Sequence, residues 1–188
     1  MKNFRILAVA LISFVSFTSC SDDDNNAQPV NEEEVITTVT ATFTPAGGGT
    51  AITLTSRDLD GDGPTAPVIS VSAPFTAGTT YNGTVTFLNE LATPAENITE
   101  EIFEEGEDHQ IFFQQTSLGE FTYTDTDGNN KPIGLTFRYD ALPTAATGNL
   151  TITLRHLPNK NAPGVEIGNI TSAGGGTDAE VTFPVVVQ

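Results

Sequence analysis

The chain has 188 residues, of which 24 are acidic and 7 basic, for a formal charge of −17. Nucleic-acid binding depends on neutralising phosphates with Lys and Arg, so this balance excludes it, and anionic lipid headgroups repel such a surface too. A single cysteine excludes an intramolecular disulfide, so the fold depends on its hydrophobic core.

The N-terminus carries Lys2 and Arg5, followed by an apolar run from Ile6 to Val15. That run is too short to span a bilayer and has the length of a signal-peptide core. Ser16, Thr18 and Ser19 then precede Cys20, whose thiol is placed for lipid attachment after cleavage. Residues 1–19 therefore read as a lipoprotein signal peptide, although Phe17 stands where Leu is usual. Its removal leaves 5 basic residues against 24 acidic ones, a formal charge of −19. With Cys20 acylated, thiol nucleophiles and cysteine-based zinc sites are excluded as well. Residues 20–34 are polar and acidic, which predicts a disordered tether after the lipidated cysteine. The folded domain is expected over 35–188, enough for one domain that buries most of its unfolded-state surface.

From Val39 onwards the apolar period is two, the signature of strands with one buried and one wet face. Val39, Ala41 and Phe43 alternate with threonines. The pattern returns at Ile52 and Leu54, and a short run at Val68–Val71 predicts a third strand. It continues at Val85 and Phe87. Asn97 followed by Glu100 is a capping-box pattern that predicts one helix near 97–105, with Gly106 ending it. Further strands are expected at Gln110–Gln114, at Phe121 and Tyr123, and from Ile133 to Tyr139. Leu150, Ile152 and Leu154 predict another, and Val181 to Val187 the last. The turns are placed at Gly47–Gly49, Asp60–Gly63, Asn82-Gly83, Asp127-Gly128 and Gly174–Gly176. About nine short strands with such turns predict an all-β fold, a single antiparallel Ig-like β-sandwich.

The leader with Cys20-Ser21-Asp22-Asp23-Asp24 resembles Bacteroidota lipoproteins. In that group acidic residues after the lipidated cysteine, here Ser21, Asp22, Asp23 and Asp24, are associated with export to the outer face of the outer membrane. The body resembles a family of short lipoproteins of the same group, to which no activity attaches. The resemblance is carried by NEEEVITTVTATFTPAGGGT (31–50), RDLDGDGPTAPVI (57–69), FLNE with PAENITEEI (87–102), EEGEDHQIFF (104–113), LRHLPNKNAPGV (154–165) and GGGTDAEVTFPV (174–185). Members are often labelled as a type 1 periplasmic binding fold. That fold needs two α/β lobes with long βαβ crossovers, and the single predicted helix and period-two pattern point away from it.

The sharpest local motif is Asp58-Leu59-Asp60-Gly61-Asp62-Gly63. Carboxylates at alternate positions of a Gly-rich bend suit a hard cation, and Asp58, Asp60 and Asp62 match the first ligands of an EF-hand loop. Position twelve is Ile69, however, so the bidentate glutamate is missing; the alternative is a plain Asp-Gly hairpin turn. Asp125, Asp127 and Asn129 form a weaker version, with Asn130 in place of the glycine. Calcium is the one cofactor these motifs suggest. His109 begins one predicted strand and His156 ends another, both in the inward phase. If those strands are antiparallel neighbours, the imidazoles meet at one end of the sandwich. They could share a metal there with Glu105, Glu107 or Asp108, or simply be hydrogen-bonded at the core edge.

No G-x-S-x-G or H-E-x-x-H motif occurs, and no nucleophile–base arrangement is legible. The expectation is a non-enzymatic binding or structural module on a lipid tether, at the outer membrane and exposed on the cell surface. Its membrane contact is the lipid alone and its partner a protein or glycan. The alternatives are a calcium-organised receptor for a glycan or small ligand and, less favoured, a metal-dependent hydrolytic accessory enzyme.

Overall fold

A computed structural model describes residues 34–188 apart from position 62, so the leader, Cys20, Ser21, Asp22, Asp23, Asp24 and Asp62 lie outside the described residues. Nine strands and one helix follow in the order β1 (Thr38–Pro45), β2 (Ile52–Arg57), β3 (Val68–Val71), β4 (Thr80–Leu88), α1 (Ile98–Glu104), β5 (His109–Gln115), β6 (Gly119–Tyr123), β7 (Thr136–Ala141), β8 (Ala146–His156) and β9 (Gly176–Val187). They form a six-stranded sheet in the order β3-β2-β1-β4-β7-β6 and a three-stranded sheet in the order β5-β8-β9. Every pairing between these strands is antiparallel. The architecture is an all-β sandwich.

The core gathers the inward side chains of the alternating runs. Phe43 lies at its centre, edge-on to Phe75, Tyr81, Phe121, Phe137 and Tyr139 at centroid distances of 4.8 to 6.5 Å. Such edge-to-face pairs each add about 0.5–1.5 kcal/mol beyond area burial. One expected turn is absent. Asn82-Gly83 lies inside β4, with Gly83 opposite both Phe43 and Phe137. A Cβ at Gly83 would come within 2.1 Å of the Phe137 ring, so the glycine makes room for an aromatic rather than a bend.

The helix forms where expected, but its ends differ from the sequence signals. The Asn97 side chain caps no backbone N–H; its amide donates instead to Glu100 Oε1 at 2.9 Å. Glu105 is the C-terminal cap, and Gly106 serves packing, since a Cβ there would meet Ile133 Cδ1 at 2.6 Å.

The start of β5 is buried on both faces: His109, Gln110, Ile111 and Phe112 are all fully enclosed. Ile111 belongs to the main core, whereas Phe112 packs against Val165 and Ala173 in a second, smaller one. Residues 157–175, with two 3₁₀ turns at Val165–Ile167 and Ile170–Ser172, supply that cover. This folded-over segment was not legible from period-two reading, which finds strands and nothing else. It brings the 157–162 stretch against the loops at the His109 end of the sheet.

Candidate functional site

The register of the small sheet builds the site. β5 and β8 pair so that His109 faces His156 across the ladder, with ring centroids 4.7 Å apart. The third contributor comes from a bulge. Leu154 pairs with Ala179 but Arg155 pairs with Thr177, so Asp178 is the extra residue of β9. Strict alternation from Phe183 and Val185 would turn Asp178 outward; the bulge shifts the phase, and its side chain is only 5% exposed. Its Oδ2 lies 3.7 Å from His109 Nε2 and its Oδ1 3.8 Å from His156 Nδ1. A fourth group arrives from the chain just ahead of β1: Glu34, 8% exposed, places Oε1 3.5 Å from His109 Nε2.

The tautomer of His109 follows from its other nitrogen. Nδ1 lies 3.1 Å from the Glu105 carbonyl, which accepts only, so Nδ1 carries the proton and Nε2 the lone pair. That Nε2 is buried and has no hydrogen-bond partner, and Glu34 Oε2 is in the same state. A buried acceptor without a partner costs about 1–3 kcal/mol. Burial lowers the His109 imidazole from its ordinary value, with His156 adding to the effect against the opposing pull of the Glu105 carbonyl and the Asp178 charge. Burial, and then the charges of Asp178, Glu101 and Glu105, push the Glu34 carboxyl up to about 7. An imidazole lone pair thus faces acidic oxygens across gaps too long for hydrogen bonds.

The ligating atoms of His109, His156 and Asp178 lie within 4.8 Å of one another, as do those of Glu34, Glu105 and His109. Of the carboxylates named from sequence, Glu105 therefore joins His109 through both its carbonyl and its side chain. Glu107 and Asp108 line a neighbouring cleft of about 480 Å³ with Glu105 and Asp127. A second cleft of about 400 Å³ shares Glu107 and Asp127 and is completed by Asn129, Lys131 and Pro158–Asn161.

The two Asp-rich turns are arranged differently. Asp58 Oδ1 accepts the N–H groups of Asp60 and Gly61 at 3.2 and 3.0 Å, and Asp60 Oδ2 accepts that of Thr65 at 3.1 Å. Asp125 accepts the N–H groups of Gly134 and Thr136, each at 2.8 Å. Asp127 Oδ1 accepts those of Asn129 and Lys131, and its Oδ2 takes the Lys160 ammonium at 2.8 Å. Lys160 also donates to the carbonyls of Gly106 and Pro132 and is nearly enclosed, at 6% exposure. Burial alone would raise the Asp127 carboxyl; Lys160 and the two backbone donors outweigh it and hold the group below its ordinary value. Asn129 is exposed at the cleft.

Sequence reasoning missed Glu34, Asp178 and Lys160. Glu34 ends an acidic run that reads as tether, Asp178 sits on the wrong phase until the bulge is known, and Lys160 lies in a loop. Comparison with protein-family models, with curated proteins and with solved structures finds no match to the chain.

Proposed function

We propose that the protein is a non-enzymatic binding module, held at the outer face of the outer membrane by a lipid on Cys20, with its ligand cleft at the His109 end of the sandwich. The observation that carries the binding reading is the pair of adjoining clefts sharing Glu107 and Asp127. Their walls offer the Glu107 carboxylate and the side-chain amides of Asn129, Asn159 and Asn161. Such a lining hydrogen-bonds a polar, hydroxyl-rich ligand, and a cell-envelope glycan has that chemistry. Asp127 is committed to Lys160 and two N–H groups, which argues for a wall rather than a general base. The anchoring reading rests on the leader and on Cys20 followed by Ser21, Asp22, Asp23 and Asp24.

One experiment tests both parts. Wild type and Cys20→Ala are partitioned in Triton X-114, and each is assayed on immobilised envelope glycans beside an Asn129→Ala/Asn161→Ala variant. Wild type should enter the detergent phase and Cys20→Ala the aqueous phase, both retaining glycan binding that the double variant loses. Identical partitioning rejects the anchor; binding that survives loss of both amides, or release of cleaved product, rejects the module.

A further inference from the structure

We infer that the inner end of the three-stranded sheet is a binding site for a divalent transition-metal ion of the zinc class, with His109 Nε2, His156 and Asp178 as its ligands and Glu34 as a carboxylate beside His109. This site is separate from the outer clefts and stands whether or not those bind a glycan.

Three independent features converge on it. The first is the orphaned lone pair. His109 is fully buried, its Nδ1–H is spent on the Glu105 carbonyl, and its Nε2 has no hydrogen-bond partner. The same arrangement, one ring nitrogen donating to a carbonyl and the other left bare, fixes the tautomer and orientation of metal-bound histidines. Fold stability alone does not call for it, since a Leu would fill a buried apolar corner without a stranded acceptor.

The second feature is spacing. Metal–ligand bonds of about 2.0–2.2 Å in a tetrahedron put neighbouring donor atoms roughly 3.3–3.6 Å apart. The donor atoms of His109, His156 and Asp178 lie within 4.8 Å of one another, with Asp178 Oδ2 3.7 Å from His109 Nε2 and Asp178 Oδ1 3.8 Å from His156 Nδ1. Both gaps are too long for hydrogen bonds and within a few tenths of an ångström of such a donor–donor spacing.

The third is donor chemistry. Two imidazoles with a carboxylate suit zinc and its first-row neighbours, whereas calcium and magnesium prefer an all-oxygen shell. The ligands come from β5, β8 and the bulge of β9, so one ion ties together all three strands of the sheet.

The purified protein is freed of metal with a chelator and titrated with Zn²⁺, Co²⁺, Ca²⁺ and Mg²⁺, following calorimetric stoichiometry and melting temperature. Wild type should bind one equivalent of Zn²⁺, and Co²⁺ should give the visible absorption of a tetrahedral ion. At a hundredfold excess over Kd, Zn²⁺ should raise Tm by roughly 5–10 °C. Substitution of the enclosed His109 risks misfolding, so the variants are His156→Ala, whose side chain is 16% exposed, and the near-isosteric Asp178→Asn. Each should keep the wild-type fold by circular dichroism and weaken Zn²⁺ binding by more than about tenfold. Wild-type affinity in either variant, or a stabilisation that Mg²⁺ reproduces, overturns the proposal.

Discussion

Two acidic regions of this protein invert the expectation that a sequence motif creates. The 58–63 turn has the denser motif, with Asp at alternate positions around glycines. In the fold, Asp58 and Asp60 each turn one carboxylate oxygen to N–H groups of their own turn or of Thr65. The His109 end has no motif at all, its donors being spread over positions 34, 109, 156 and 178, yet there the donor atoms of buried side chains converge. Local carboxylates satisfy local backbone because turn N–H groups are the nearest donors. His109 and His156 have their backbones paired in the ladder, so their side chains are turned towards one another rather than towards a local turn.

The largest expected effect lies between these extremes, at Asp127. By spacing it belongs to a calcium-like turn; by structure it neutralises the enclosed Lys160. Asp127→Ala would leave a buried ammonium with two carbonyls and only the more distant charges of Asp125 and Asp108, which should cost about 3–5 kcal/mol in equilibrium urea unfolding. The double variant Asp127→Leu/Lys160→Met should recover most of that loss. A cost for Asp127→Ala below about 1 kcal/mol would place the pair in the class of surface ion pairs and break the distinction.

How much of this could be read in advance divides along the same line. The inward phase of Val39, Ala41 and Phe43, of Leu150, Ile152 and Leu154, and of Phe183 and Val185 was legible because one apolar face forces alternation, and all of these are buried. The meeting of His109 and His156 followed from their positions at opposite ends of two strands, given antiparallel pairing. Asp178 was not legible, because a bulge is a one-residue slip that leaves the composition unchanged. Gly83 misled for a related reason: Asn-Gly describes a turn unless an aromatic on the next strand needs the space, and Phe137 is 54 residues away. Period and turn chemistry are local, whereas register and bulges are settled by partners elsewhere in the chain.

A smaller effect separates the regions by the sign of their response to pH. In metal-free protein the Glu34 carboxyl, ordinarily near 4.5, stands at about 7. The native state therefore holds a proton the unfolded chain has lost, and stability contributed by Glu34 falls as pH rises from about 4.5 to about 7. Asp127 behaves oppositely: held below its ordinary value, it contributes stability above the unfolded carboxyl range and loses it as pH falls below about 4. His109, lowered by burial, gives a rising slope below its ordinary 6.5, so the measurement must be a difference. Urea unfolding of chelated wild type and Glu34→Gln across pH 4 to 8 should show the variant gaining relative stability towards the alkaline end. Parallel curves would mean that Glu34 is solvated in solution.

The smallest expected effect is at the turn that the sequence marks most clearly. If Asp58, Asp60 and Asp62 held calcium as extracellular modules do, the dissociation constant would be on the order of 10⁻⁴ to 10⁻³ M. At ten times that concentration the linkage would raise Tm by roughly 2–4 °C. The hydrogen bonds of the turn argue against a response of that size. Asp58 Oδ1 already receives two N–H groups, and the Thr65 N–H on Asp60 Oδ2 holds the Asp60 carboxyl below its ordinary value without a metal. A divalent ion would have to reorganise this turn before binding it. In a chain with a formal charge of −17, any cation still relieves some self-repulsion, so a small shift is expected from Ca²⁺ and Mg²⁺ alike. The expected result is therefore equal shifts for the two ions at equal concentration, unchanged in Asp60→Asn/Asp62→Asn. A Ca²⁺ shift of several degrees that Mg²⁺ does not match and the double variant abolishes would reverse the comparison, making the local motif the binding site after all.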